Sequence, residues 1–169
     1  MTDPNASREP GPASCLLVSA QARDALRAAA RRSVSKEHGG ILIGYRHGND
    51  IAVDDILEVP DATAGRTNYL RRENPARQAL SEYLERIGSD DVIGYVGEWH
   101  THPAPLPPSP TDQHAMRAMT RKNRNSVALV VAALDPDHGT VDLHALISQP
   151  GTLRSRLTGR HSVGTVVLE

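Results

Sequence analysis

Residues 97–112 read Gly-Glu-Trp-His-Thr-His-Pro-Ala-Pro-Leu-Pro-Pro-Ser-Pro-Thr-Asp. Because side chains alternate between the two faces of a strand, His100 and His102 are expected on one face and Thr101 on the other. Two imidazoles, with the Asp112 carboxylate across a proline-rich loop, could occupy three corners of a tetrahedron and leave the fourth to water. Catalytic zinc sites have this arrangement. The pattern therefore predicts a mononuclear zinc site at the end of a strand.

The end of this segment also has the composition of a helix start. Ser109 is suited to the N-cap, Pro110 to the first helical position and Asp112 to the third. Capping alone explains Ser109 and Asp112, so it competes with metal binding as an interpretation. The two are compatible, because a cap would fix the Asp112 carboxylate at the helix N-terminus, facing the end of the strand. A lone His-x-His pair is a weak signal, since the chain has six other histidines: 38, 47, 114, 138, 144 and 161.

Hydrophobic periodicity and turn residues predict alternating strands and helices around this segment. The predicted strands cover residues 15–18, 40–45, 51–59, 92–102, 127–134, 141–147 and 163–168. The predicted helices cover residues 20–32, 75–87 and 109–122, and residues 61–73 are predicted to form a loop. Residues 1–13 are polar and rich in Pro and Gly, which favours a disordered tail. The pattern predicts a single α/β domain over residues 14–169, with helices flanking a mixed β-sheet.

Composition limits the possible partners and compartments. The chain has 169 residues, a length that suits one domain. Its formal net charge is −1, so the overall charge does not favour binding to nucleic acid or to a membrane surface. The single cysteine, Cys15, excludes an internal disulfide and favours a reducing compartment. No apolar run approaches the roughly 20 residues needed to span a bilayer, and the N-terminus has no signal-peptide core. We therefore expect a cytoplasmic protein with no nucleic-acid or membrane partner.

The His100-Thr-His-Pro103 run, followed by Ser109-Pro-Thr-Asp112, resembles the JAMM (MPN-type) zinc metalloprotease family. That family also has an upstream glutamate close to a strand, and Glu37, before Gly39-Gly-Ile-Leu-Ile-Gly44, matches it. The resemblance implies the JAMM/MPN fold. Residues 103–108 separate the second histidine from the serine, one residue fewer than is usual in the family. An extended loop of about 3.1 Å per residue still allows the helix to begin close enough to deliver Asp112.

The resemblance also implies roles for individual residues. One Zn²⁺ ion is expected on His100, His102 and Asp112, where it makes hydroxide available at neutral pH. Glu37 is expected to be the general base, although from the sequence alone an acid at the surface is the favoured interpretation. Ser109 is expected to help stabilise the oxyanion of the tetrahedral intermediate.

This compact chain, with the segment Gly97-Glu-Trp-His-Thr-His-Pro103, is similar to the stand-alone bacterial members of the family. This similarity implies a zinc-dependent isopeptidase or peptidase that cleaves after the C-terminal tail of a ubiquitin-like protein, in deconjugation or precursor processing. The implied partners are a ubiquitin-like protein or its conjugates and the associated activating and conjugating enzymes, in some cases within phage-defence systems. Two alternatives stay open: a peptidase that releases cysteine from a sulfur-carrier protein, and a non-catalytic MPN scaffold module. Scaffold members usually lose the metal ligands, which are intact here.

Overall fold

The computed structural model describes residues 15–48, 50–65, 71, 73–88, 92–123 and 125–150. The strands are β1 (Leu16–Val18), β2 (Gly39–His47), β3 (Asp50–Glu58), β4 (Gly94–His102), β5 (Val127–Asp135) and β6 (Thr140–Ser148). The helices are α1 (Ala20–Arg32), α2 (Glu73–Ile87) and α3 (Pro110–Asn123). The strands form a mixed sheet in the order β1-β3-β2-β4-β5-β6. The β1–β3 and β4–β5 pairs are parallel, and the other neighbours are antiparallel.

One face of the sheet is covered by α1. This helix begins after Ser19, whose hydroxyl accepts a hydrogen bond from the amide of Ala22 at 3.1 Å. The buried side of α1, which includes Leu26, packs into the largest apolar cluster of the described residues. Trp99 of β4 lies fully buried in that cluster, and its Nε1 donates to the Leu57 carbonyl at 3.2 Å. Trp99 therefore packs against the sheet on the α1 face.

The opposite face carries α2 and α3 side by side. Helix α2 packs over β2 through a cluster that includes Ile41 and Ile43. Helix α3 packs over β5 through Met116, which lies against Val127, Leu129 and Val131. Tyr95 of β4 contacts both clusters. The central strand β4 therefore runs between the two helices on this face.

Two local features of β4 set its register. The pairing with β2 passes from Leu42–Gly97 to Ile43–Tyr95, so Val96 is the extra residue of a β-bulge. The bulge lets Tyr95 and Glu98 lie on the same face although they are three positions apart. A Cβ atom on Gly97 would overlap the carbonyl of Ala128 on β5, so only glycine permits this close approach of the two strands.

Both ends of every described helix and strand lie within two residues of the predicted ends. Helix α2 begins at Glu73 instead of Pro75, because the first-turn N–H groups have no intrahelical partner and proline is therefore tolerated there. Strand β4 begins at Gly94 instead of Val92, which is exposed. The predicted tail at 1–13 and the predicted strand at 163–168 lie outside the described residues. No described helix is long and apolar enough to cross a bilayer.

Candidate metal centre

The two histidines of β4 face each other on the α2/α3 side of the sheet. Both are largely buried, and their Nε2 atoms lie 3.1 Å apart. The alternation of strand residues produces this pairing, as the sequence predicts, because Thr101 between them points the other way.

Asp112 completes a three-residue group. It lies in the first turn of α3, with Oδ1 3.4 Å from His100 Nε2 and Oδ2 3.8 Å from His102 Nε2. One ligand atom from each of the three residues lies within 4.8 Å of the others. Zinc-to-ligand distances of about 2.0–2.2 Å make the edge of a tetrahedral site about 3.3–3.6 Å long. The spacing and the N, N, O donor set therefore fit a tetrahedral zinc ion, and the shorter loop at 103–108 still delivers Asp112.

The proline-rich loop also orients His102. Its Nδ1 lies 2.8 Å from the Leu106 carbonyl oxygen, which can only accept a hydrogen bond. The proton therefore belongs on Nδ1, and the lone pair on Nε2 points into the cluster. A backbone carbonyl behind a metal-binding histidine fixes the ring orientation and the tautomer in this way.

Burial keeps His100 in the form that binds metal. Removal from solvent lowers the pKa of His100 well below its ordinary value, although the nearby Asp112 carboxylate acts in the opposite direction. The imidazole is therefore neutral near pH 7, and a neutral imidazole is the form that ligates a metal.

Ser109 and Asp112 form a reciprocal helix cap. The main-chain N–H and the hydroxyl of Ser109 donate to Asp112 Oδ2 at 2.6 and 2.7 Å, and the Asp112 N–H lies 3.2 Å from Ser109 Oγ. The cap predicted from the sequence is therefore present, and it holds the carboxylate towards the histidines. The oxyanion role of Ser109 stays a prediction, because its hydroxyl must turn from Asp112 to reach a substrate.

Glu37 borders the same cluster. Its Oε1 lies 3.9 Å from His102 Nε2, and the residue is only 7% exposed. The interpretation as a surface acid is therefore wrong. Burial, with a smaller contribution from the Asp112 charge, raises the pKa of Glu37 to about 7. A cavity of about 180 Å³ opens beside it, lined by residues 36–39 and 58–62.

The sequence interpretation missed a second polar group on this face. Glu98, two residues before His100, forms an ion pair with Arg71 and accepts a hydrogen bond from the Tyr95 hydroxyl at 3.4 Å. Burial raises the pKa of Glu98, while Arg71 opposes that shift. Strand alternation places Glu98 beside the histidines, but nothing in the sequence pairs it with an arginine from a predicted loop.

Comparison with known proteins identifies the family. The model of a family described as prokaryotic homologs of the JAB domain matches residues 19–148. The chain belongs to this family. The resemblance to the stand-alone bacterial JAMM/MPN type is thereby confirmed, and so is the predicted α/β fold.

Relatives are found in several bacteria. A protein of Vibrio cholerae serotype O1 named CD-NTase/cGAS isopeptidase is 33% identical over 104 residues, which are 60% of this chain and 65% of that protein. A protein of the same name from Enterobacter hormaechei is 32% identical over 130 residues, which are 72% of this chain and 68% of that protein. The matched part of the chain thus spans slightly less than two thirds of the length of the V. cholerae relative. It spans slightly more than two thirds of the length of the E. hormaechei relative.

The fold also occurs in a solved structure. The solution structure of protein DSY2949 from Desulfitobacterium hafniense superposes with a TM-score of 0.60, covering 91% of this chain and 92% of that one. At 16% sequence identity, this likeness supports the fold alone.

Proposed function

We propose that this protein is a zinc-dependent isopeptidase that cleaves after the C-terminal tail of a ubiquitin-like protein. The observation that carries the proposal is the convergence of His100, His102 and Asp112 on one point beside the buried acid Glu37. Relatives named CD-NTase/cGAS isopeptidase support the isopeptidase activity. They also suggest a CD-NTase as the protein at the other end of the cleaved bond.

The chain provides the ligands and the proton-transfer group. Two neutral imidazoles and one carboxylate would hold a zinc ion, which supplies hydroxide at neutral pH and polarises the scissile carbonyl. Glu37 Oε1 would accept the proton from the attacking water and donate it to the leaving amine. Burial raises the pKa of this carboxyl group to about 7 in the metal-free protein, so it can take up a proton near neutral pH. The charge of a bound zinc ion would lower the pKa and favour release of that proton to the amine.

Asp112 and Ser109 have supporting roles in this proposal. The cap keeps Asp112 Oδ2 bound to two N-terminal donors, while Oδ1 stays directed at His100. Ser109 Oγ lies 2.7 Å from a proposed metal ligand, so a rotation of its hydroxyl suffices to place a donor near the developing oxyanion.

The small cavity that borders Glu37 favours an extended substrate segment. The cavity of about 180 Å³ beside Glu37 can hold a side chain or a short stretch of main chain but not a folded domain. A ubiquitin-like protein would therefore present its flexible tail to the site. Glycine-rich tails suit a cavity of this size, because they have no bulky side chains.

The experiment compares the zinc-loaded protein with its Glu37→Gln variant on two substrates. These are a linear fusion and an amine conjugate of a bacterial ubiquitin-like protein with a CD-NTase, with cleavage mapped by mass spectrometry. Because Gln retains size but cannot take up the proton, we expect the rate to fall by roughly 10²-fold or more, with zinc content unchanged. Glu73→Gln makes the same chemical change at the exposed start of α2 and is the matched control.

Three outcomes would overturn the proposal. They are a wild-type rate for Glu37→Gln, cleavage that persists under a zinc chelator, and no cut at the tail in either substrate. Release of cysteine from a sulfur-carrier protein, with no cut in the ubiquitin-like substrates, would instead select that alternative.

A further inference from the structure

The main chain that carries Glu37 is held from two sides. On one side, the His38 N–H donates to Thr101 Oγ1 at 2.9 Å, and the Thr101 N–H donates to the His38 carbonyl at 2.8 Å. On the other side, the Glu37 N–H donates to the Gly65 carbonyl at 2.7 Å. The residue that carries the proposed base is therefore fixed between the metal-bearing strand and the connection that follows β3.

The Thr101 hydroxyl continues the sheet beyond its last ladder pair. The β2–β4 pairing ends with Gly39 opposite His100, and His38 lies one residue before β2. At this point the side-chain oxygen of Thr101 takes the place of a main-chain acceptor. Thr101 is fully buried, so no water replaces its hydroxyl if the oxygen is removed. The His38 N–H would then lose its partner in a partly buried position, and an amide in such a position tends to move until it finds another partner.

The Gly65 side is a structured turn. Asp61 is largely buried, and its Oδ1 accepts hydrogen bonds from the amide and the hydroxyl of Thr63 at 2.9 and 2.7 Å. The Ala64 N–H donates to the Asp61 carbonyl at 3.1 Å. This turn limits how far Gly65 can follow a displaced Glu37. Loss of the Thr101 hydroxyl would leave the Thr101 N–H bonded to the His38 carbonyl but release the His38 N–H, so the main chain could turn at His38 and carry Glu37 away from His102.

We propose that Thr101 is a positioning residue, whose hydroxyl sets the distance between the Glu37 carboxylate and the metal cluster through the main chain of His38. Three consecutive residues of β4 then have separate roles. His100 and His102 bind the metal on one face, and Thr101, on the other face, fixes the main chain next to Glu37. The inference rests on the proposed function, because that function makes Glu37 the base.

Replacing Thr101 should affect kcat but not KM or zinc binding. Thr101 has no exposed surface and alternates away from the histidines, so it contacts neither substrate nor metal. Its replacement should therefore lower kcat and leave KM and zinc content unchanged. A misplacement of the order of 1 Å can reduce a rate by about 10²-fold, and we expect a fall of at least about tenfold.

The test uses three variants of the full chain. Thr101→Val keeps the shape of the side chain and removes the oxygen, whereas Thr101→Ser keeps the oxygen and should retain most of kcat. Thr120→Val is the matched control, because Thr120 is also a buried threonine, whose hydroxyl donates to the Met116 carbonyl at 2.9 Å within α3. We expect Thr120→Val to lower thermal stability without selectively lowering kcat.

Two measurements do not depend on activity. Amide hydrogen exchange at His38 should be faster in Thr101→Val than in wild type or Thr101→Ser, at equal global stability. Crystal structures of the zinc-loaded variants should show Glu37 displaced from its wild-type distance to His102 in Thr101→Val alone. The proposal is wrong if Thr101→Val leaves Glu37 in place, or if it displaces Glu37 and keeps the wild-type kcat. If wild type cleaves neither tail substrate, the proposed function fails, whereas the crystal structures still decide whether Thr101 positions Glu37.

Discussion

The two faces of β4 are similarly buried but have opposite chemistry. On the α1 face, Trp99 is fully buried among apolar side chains, and its one polar atom is paired with the Leu57 carbonyl. On the other face, His100 and His102 are 9% exposed and lie against Asp112 and Glu37. Burial alone therefore does not separate core from site in this strand. The difference is that the buried polar groups of the site are ionisable and converge on one point, whereas the one polar atom of Trp99 is paired with a main-chain carbonyl.

The polar face brings together groups that a divalent cation can bind. It brings the carboxyl groups of Asp112 and Glu37 beside His102 and beside His100, whose imidazole burial keeps uncharged. The Asp112 charge contributes to the raised pKa of Glu37, which shows that the two carboxyl groups repel each other. A divalent cation would offset the carboxylate charge and take the imidazole nitrogens as ligands. The apolar face needs no such addition.

The neighbouring strand β5 is a useful reference. Its alternate residues Ala128, Val130 and Ala132 face the α1 cluster, while Val127, Leu129 and Val131 pack beneath α3. This strand is apolar on both faces, as its unbroken run of aliphatic residues predicts. The ionisable side chains beside the proposed metal ligands thus come from β4 and not from its parallel neighbour β5.

The largest expected effect is on the polar face. A double variant, His100→Ala with His102→Ala, should lose nearly all bound zinc and all zinc-dependent cleavage, because two of three protein ligands are gone. The metal-free fold should persist, because the apolar face does not depend on these side chains. Elemental analysis and circular dichroism measure the two properties. Full zinc occupancy in the folded double variant would contradict the ligand assignment.

The apolar face should respond in the opposite way. Trp99→Ala removes a fully buried indole and should reduce the free energy of unfolding by about 3–5 kcal/mol, measured by urea denaturation followed by circular dichroism. The fraction that remains folded at low temperature should still bind about one zinc per chain, since Trp99 faces away from the histidines. A folded Trp99→Ala protein without zinc would show that the two faces are coupled.

Much of this contrast could be predicted from short-range patterns. Period-two alternation separates Trp99 and Thr101 from His100 and His102 without any knowledge of the fold. The Ser-Pro-x-Asp signature predicts the α3 cap, and the cap fixes where the Asp112 carboxylate points. These features could be predicted because each depends on residues that are close in sequence.

The features that the sequence did not reveal depend on distant residues. Arg71 and Glu98 are separated by 27 positions, and Arg71 comes from a segment predicted only as a loop. The burial of Glu37 depends on how β2 meets β4 and on the turn at 61–65, so the sequence alone favoured an exposed acid. The bulge at Val96 also leaves no clear signal, because a single extra residue changes no local composition.

The smallest expected effects on stability come from two serine caps, one on each side of the sheet. The Ser19 hydroxyl accepts from the third residue of α1 at 3.1 Å, and the Ser109 hydroxyl accepts from the third residue of α3 at 3.2 Å. Ser19→Ala and Ser109→Ala should therefore each reduce the free energy of unfolding by about 1 kcal/mol.

Only Ser109→Ala should also weaken zinc binding, by roughly tenfold, because Ser109 holds the Asp112 carboxylate. If Ser109 also stabilises the oxyanion, the kcat of the Ser109→Ala variant at saturating zinc should fall by roughly 10²-fold. The Ser19→Ala variant should keep the wild-type kcat. Metal titration, followed by steady-state kinetics at saturating zinc, separates the two contributions. A wild-type kcat for Ser109→Ala under that condition would reduce Ser109 to a helix cap, with the same role as Ser19 on the opposite face.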